Sequence, residues 1–118
     1  MIETSVDADH NLVTFKNTSV GTKATVEAAF RLVKRQFETF GPVKLLLDWS
    51  DYQGMGEGAP DAAQRIPDAS PYLERVAFLA SSGSEGEAKF WMRLFEGIPV
   101  KLFDGAQKDA AIAWLLSG

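Results

Sequence analysis

Polar side chains follow three of the predicted strands, at the point where each strand ends. Asp48 and Asp51 follow one strand, Ser82 the next along the chain and Asp104 the last. Because open α/β sheets bind ligands at the carboxyl ends of parallel strands, these side chains form a candidate polar site. Carboxylate oxygens suit divalent cations, so a metal-dependent enzyme using Asp48 and Asp51 is one hypothesis. The simpler interpretation is that Asp104 caps a helix and that Asp51 is a solvated turn residue.

Composition excludes several other kinds of catalytic site. The chain has 118 residues, no cysteine and one histidine, so thiolate nucleophiles, disulfides and sites with several imidazoles are absent. That histidine, His10, follows Asp9 in a turn, and a triad there would need a nucleophile to reach an exposed tip. The glycines at 54, 56 and 58 have the wrong spacing for a phosphate-binding loop. We therefore assign no catalytic residue, no metal and no cofactor.

Charge and hydropathy restrict the partners. Twelve Lys and Arg against 16 Asp and Glu give a formal net charge of -4, which argues against nucleic acid. The amino terminus lacks the pattern of a secretory signal. The longest apolar run, residues 110–116, is far shorter than the ~20 residues that span a bilayer. We expect one domain over residues 1–118 and a cytoplasmic protein whose contact with membranes is peripheral.

The hydrophobic pattern predicts alternating strands and helices. An amino-terminal hairpin spans residues 2–17, and a helix follows from an N-cap at Thr22 to Gly41. Its apolar stripe comprises Val26, Ala29, Phe30, Val33, Phe37 and Phe40. Further strands are predicted at 43–49, 75–80 and 98–103. Helices are predicted at 60–66, at 85–95 and from the turn after the last strand to about residue 116. This order predicts an α/β fold with a mixed, mostly parallel sheet of about five strands and about four helices.

Two capping boxes mark the later helices. Ser84 with Glu87 is expected to open the helix through Phe95, and Asp104 with Gln107 is expected to open the last helix.

The helix over residues 85–96 has more apolar surface than a core requires. Ala88, Trp91, Met92 and Phe95 form an ordinary core-facing stripe, but Phe90 and Leu94 widen the apolar arc to about 200°. Such width beside basic residues is typical of a membrane interface, an apolar ligand site or a homodimer contact, unless a neighbouring helix covers it. The predicted binding residues are Tyr52, Met55, Lys89, Phe90, Trp91, Arg93, Leu94 and Phe95.

Residues 50–72 differ from the rest of the chain. They contain three of the five prolines and three of the ten glycines, with few large apolar side chains. Low apolar anchoring is typical of a gate, although an irregular connection has the same composition.

Three stretches resemble the SpoIIAA-like family, which is related to the STAS domain of sulfate transporters and anti-sigma-factor antagonists. They are VKLLLDWSDYQG (residues 43–54), RVAFLASS (75–82) and VKLFDGAQKDAAIAWLLSG (100–118). The resemblance implies that family's fold, with a layout similar to the lipid-carrying CRAL-TRIO domains. STAS antagonists carry a phosphorylated serine in a D-S-S-G-like motif. Here no serine lies between Asp51 and Ala69, and Ser50 is too close to the strand to replace it, so we expect no phosphorylation switch.

These observations predict a non-enzymatic binding or regulatory module, acting on an apolar ligand or a membrane surface. In that hypothesis residues 50–72 move as a gate against the helix at 84–96. The alternative is a protein-interaction module of the anti-sigma-factor-antagonist type. Its partner loop would include Ser50, Asp51, Tyr52 and Gly54. The metal-dependent enzyme is the third hypothesis.

Overall fold

The computed structural model describes residues 2–17, 23–51, 70–81, 83–95 and 97–117. Their strands and helices, in chain order, are β1 (Ile2–Asp7), β2 (Leu12–Asn17), α1 (Lys23–Phe40), β3 (Val43–Trp49), β4 (Leu73–Ala80), α2 (Glu85–Met92), β5 (Val100–Asp104) and α3 (Lys108–Leu116). A 3-10 turn, Ser70–Tyr72, precedes β4.

The five strands form one sheet in the order β1-β2-β3-β4-β5. β1 is antiparallel to β2, and every other neighbouring pair is parallel. The predicted α/β class, mostly parallel sheet and amino-terminal hairpin are therefore confirmed. The predicted count of about four helices is too high, because the described residues contain three α-helices. The short helix predicted at 60–66 and the N-cap at Thr22 lie outside the described residues.

The helices cover the sheet from both sides. On one side, the α1–α2 face, core residues of α1 and α2 pack on the strands. On the other, the α3 face, Ala111 and Leu115 pack on Leu46 and Leu79. Val43 and Leu46, on opposite faces of β3, are both fully buried, which confirms the prediction of a strand covered on both sides.

The α1 stripe packs against the core along most of its length. Val26 and Val33 lie in the core, and Phe37 contacts Tyr72 with ring centroids 5.0 Å apart. Phe40 departs from the prediction: its side chain is 53% exposed, because the helix ends there beyond the core. Gly41 has φ +89°, the left-handed conformation expected of a glycine that ends a helix.

The last helix begins later than its capping box predicts. α3 starts at Lys108, and Gln107 makes no side-chain cap bond. Asp104 Oδ1 accepts a hydrogen bond from Ala106 N (2.9 Å), and Asp104 N donates to Gln107 Oε1 (3.0 Å). The two side chains therefore stabilise a turn before the helix instead of its first turn.

Asn11 joins the hairpin to the end of α1, a role that sequence analysis missed. Its Nδ2 donates to the backbone carbonyl oxygens of Gly41 and Pro42, both at 2.9 Å. Its backbone carbonyl oxygen accepts a hydrogen bond from Lys44 N at 3.0 Å. Its backbone adopts φ +49°, which asparagine tolerates better than most residues. This one buried residue thus fixes the β1–β2 turn against the start of β3.

We expect Asn11→Ala to lower the free energy of unfolding by about 2 kcal/mol, because two carbonyls lose their donor and alanine disfavours positive φ. Asn11→Gly should cost less, since glycine keeps the backbone conformation and loses only the amide. Urea unfolding of both variants measures the difference. A glycine variant no more stable than the alanine variant would show that the backbone conformation contributes nothing.

Candidate functional site

Ser84 connects three elements at the carboxyl edge of the sheet. Its buried Oγ donates to the carbonyl oxygen of Trp49 (2.9 Å) and accepts from Ser81 N (3.0 Å). Ser84 is the N-cap residue of α2, as predicted, but its side chain makes no cap bond, so its half of the predicted capping box with Glu87 does not form. Its hydroxyl is occupied by the end of β3 instead, so it holds the first turn of α2 on the sheet.

Asp48 and Asp51 have different partners. Asp48 is buried, and its Oδ1 accepts hydrogen bonds from Ser50 Oγ (2.6 Å) and Ser50 N (3.1 Å). Asp51 is exposed, and its Oδ2 lies 3.4 Å from Lys16 Nζ. Asp48 thus shapes the turn after β3, while Asp51 contacts the neighbouring strand β2.

The turns that follow β3 and β5 meet across the end of β4. Gly105 N donates to the carbonyl oxygen of Ala80 at 3.0 Å. A Cβ atom added at Gly105 would lie 3.0 Å from Ser50 Cβ, closer than ordinary contact, so this approach favours glycine. Ser50 and Gly105 are therefore neighbours, as expected if the carboxyl ends of parallel strands converge.

An open cleft of about 270 Å³ lies between the ends of β4 and β5 and the first turn of α2. It brings together Asp104, from the predicted polar site, and the carboxylate of Glu85. Glu85 is also paired with Lys89 at 2.9 Å. Within the described ranges, no three His, Cys, Asp or Glu residues are grouped as metal binding requires, and Ser82 lies outside those ranges. The cleft is lined by Ala80, Ser81, Glu85, Leu102, Phe103 and Asp104.

Two of the predicted binding residues are part of the core. Trp91 is 6% exposed, and its ring lies edge-on to Trp49 with centroids 5.5 Å apart. Phe95 is buried against Phe78, with centroids 5.9 Å apart. Both rings therefore hold α2 and the turn after it on the sheet. Tyr52, Gly54 and Met55, predicted to face this helix or to form a partner loop, lie outside the described residues.

Phe90 is the exposed aromatic residue of α2. Its side chain is 58% exposed, and Lys89 and Arg93 beside it are also exposed. The predicted apolar arc of about 200° does not form, because α2 ends at Met92 and the chain then turns. Leu94 consequently packs against the core and is half-buried. The surface around Phe90 on α2, which we call the Phe90 surface, is smaller than expected and centred on one ring.

The single histidine pairs with a different aspartate from the one expected. Asp7 Oδ2 accepts a hydrogen bond from His10 Nδ1 at 2.9 Å, where the sequence pointed to Asp9. This hydrogen bond lowers the pKa of the exposed Asp7 carboxyl. The separation of three residues lets the hairpin turn bring these two side chains together.

None of the helices in the described ranges combines the length and apolar character needed to cross a bilayer. A family model described as SpoIIAA-like matches residues 12–116. The chain belongs to the SpoIIAA-like family. The match includes the ends of β3, β4 and β5 that form the carboxyl edge and all of α2, whereas β1 precedes it.

The SpoIIAA-like assignment agrees with a solved structure. The chain is similar to the crystal structure of an uncharacterized protein from the DUF3478 family, with a SpoIIAA-like fold, from Shewanella loihica PV-4. The TM-score is 0.73 at 19% sequence identity, over 98% of this chain and 92% of that one. At this sequence identity, the similarity shows a shared fold alone. No curated protein matches the sequence.

In this SpoIIAA-like chain, Ser84→Ala should lower the free energy of unfolding by about 2 kcal/mol, because a buried carbonyl and a partly buried N–H lose this hydrogen-bond partner. Ser81→Ala is the matched control. The Ser81 hydroxyl lies 3.5 Å from Ser84 Oγ, so its loss should cost less than about 0.5 kcal/mol. Urea unfolding compares the two variants, and equal losses would contradict the role given to Ser84.

Proposed function

We propose that this SpoIIAA-like chain is a non-enzymatic protein-binding module and that the Phe90 surface is its contact site. The observation that carries the proposal is the exposure of Phe90, 58%, on a helix whose other aromatic residue is buried. Removing such a ring from water contributes about 25 cal/mol per Å² of apolar area. Aromatic anchors of this kind dominate the binding energy of many protein interfaces.

The charges around Phe90 favour a protein over a bilayer as the partner. Glu87 lies three residues before Phe90 and Arg93 three residues after it, so each is a neighbour of the ring on the helix surface. An apolar centre with a rim of both charges is typical of protein interfaces, whereas anionic bilayers attract a uniformly basic face. The expected partner offers an apolar pocket, with a basic group towards Glu87 and an acidic group towards Arg93.

The bond from Ser84 to Trp49 relates this surface to the partner loop proposed from sequence. Ser50 follows Trp49 directly, and Ser84 immediately precedes α2. The start of the loop and the start of α2 are therefore neighbours, and one partner can contact both. The apolar-ligand hypothesis receives less support, because two of the residues predicted to hold the ligand, Trp91 and Phe95, are packed in the core.

Phe90→Ser should weaken partner binding at least about tenfold while leaving stability nearly unchanged, because the ring is already exposed in the free protein. Phe40→Ser is a matched control: it removes an equally exposed phenylalanine, 53%, from a different helix. The unmodified chain, Phe90→Ser and Phe40→Ser are each incubated with a lysate of the source organism, and the proteins that each form retains are identified by mass spectrometry. Affinity is then measured by calorimetry with the purified partner.

Binding retained by Phe40→Ser and lost by Phe90→Ser supports the proposal. Equal binding by all three forms, or equal loss in both variants, would contradict it. Unfolding curves of the variants separate a binding defect from a folding defect.

Membrane association is a second candidate, favoured by the exposed basic side chains of Lys89 and Arg93 beside the ring. If it holds, the chain co-sediments with vesicles containing phosphatidylserine, and Arg93→Glu reduces the bound fraction severalfold by reversing one charge at the surface. Vesicles of phosphatidylcholine alone are the control. Sedimentation that is the same with both lipids and in the variant would exclude this role.

A further inference from the structure

β1 has an open edge. Among the residues that the structure describes, β1 pairs only with β2, and residues 3–7 are all exposed. Val6 is 42% exposed, so part of this edge is apolar. An edge strand presents unpaired N–H and C=O groups, which form a template for another strand.

The opposite edge of the sheet, at β5, is protected against the addition of another strand. Pro99 immediately precedes β5, and an exposed lysine, Lys101, lies within it. Proline and lysine are common means of preventing strand addition at an edge. β1, with the sequence IETSVD, contains neither residue. Its register with β2 runs unbroken from Ile2↔Asn17 to Asp7↔Leu12, so no bulge twists the edge away.

We propose that a second copy of this chain pairs antiparallel with β1, with Thr4 on the two-fold axis. The two five-stranded sheets then form one continuous ten-stranded sheet. In an antiparallel pair, residues directly opposite each other have their side chains on the same face of the sheet. At the two-fold axis, one residue of β1 must therefore lie opposite its own equivalent in the second copy. Thr4 and Ser5 are the central residues of β1, and each defines one register.

Charge distinguishes the two registers. With Thr4 on the axis, Glu3 lies opposite Ser5 of the second copy, and Thr4 lies opposite its equivalent. With Ser5 on the axis, Glu3 lies opposite Asp7, which places like charges side by side. β2 offsets the remaining charge of Glu3, because Lys16 is its cross-strand neighbour. The Thr4 register also pairs β-branched threonines on the α1–α2 face, to which Thr4 belongs as the neighbour of Phe15.

The interface is limited in size, which predicts its strength. One six-residue strand from each copy buries less area than standard stable interfaces do, so the dimer should form reversibly at high protein concentration. Its formation does not involve the Phe90 surface, because α2 packs over β4, β5 and the end of β3, away from β1.

The chain contains no cysteine, so single-cysteine variants test the register directly. Thr4→Cys places two thiols opposite each other, with Cβ atoms about 5 Å apart, and should cross-link efficiently under mild oxidation. Ser5→Cys places its thiols on a diagonal, about 7–8 Å apart, and should cross-link several times more slowly. Non-reducing electrophoresis over time measures both rates, with Phe90→Cys as the control for contact through α2.

Sedimentation velocity provides the second readout. The unmodified chain should shift from monomer to dimer as its concentration rises. Thr4→Lys should raise the dissociation constant at least about tenfold by placing two lysines opposite each other, and Thr4→Val should not raise it. Phe90→Ser should dimerise normally, so failure of the proposed function leaves this test intact.

Four results would overturn the proposal: a chain that is monomeric at every concentration, faster cross-linking of Ser5→Cys than of Thr4→Cys, cross-linking through Phe90→Cys, or a dimer unaffected by Thr4→Lys.

Discussion

Trp49 determines how α2 sits on the sheet. Its carbonyl oxygen accepts the hydrogen bond from Ser84 that holds the start of α2, and its ring packs edge-on against Trp91 and Phe78. Both contacts come from the last residue of β3, a strand buried on its two faces, so the position of α2 follows from that of the strand. With Trp91 turned inward, Phe90, about 100° away around the helix, lies on the outer side. The exposed ring is thus a consequence of the buried one.

The carboxyl edge of the sheet uses its polar groups for structure. Asp48 shapes the turn after β3, Ser84 joins β3 to α2, and Asp104 stabilises the turn before α3. Each of these hydrogen bonds positions a turn or a helix, so a cluster of carboxylates and hydroxyls at strand ends that resembles an active site in sequence has a structural role here. The two proposed contacts use other groups, namely the exposed ring of α2 and the backbone of β1.

Local patterns predicted the parts of the fold that depend on neighbours in sequence. The bounds of β3 and the end of α1 at Gly41 follow from hydrophobic runs and a glycine, and both are correct. The hydrogen bond from Ser84 to Trp49 could not be predicted, because the two residues are 35 positions apart in sequence. The spacing of Ser84 and Glu87 is also that of a capping box, which suggested a different role for the hydroxyl. The prediction that Phe40 faces the core was wrong for a related reason. Periodicity shows which side of a helix faces the core but not how far the core extends along it.

The order of the strands separates the two proposed surfaces. β1 lies at one edge of the sheet, and α2 packs over the strands towards the other edge, with about 19 Å between the edge strands at the usual strand spacing. Pairing through β1 therefore extends the sheet away from α2 and leaves both copies of Phe90 exposed. Two weak contacts to one partner assembly reinforce each other, because the second forms within the complex. The open edge would then increase the binding strength of a surface that, on a single chain, offers one aromatic ring.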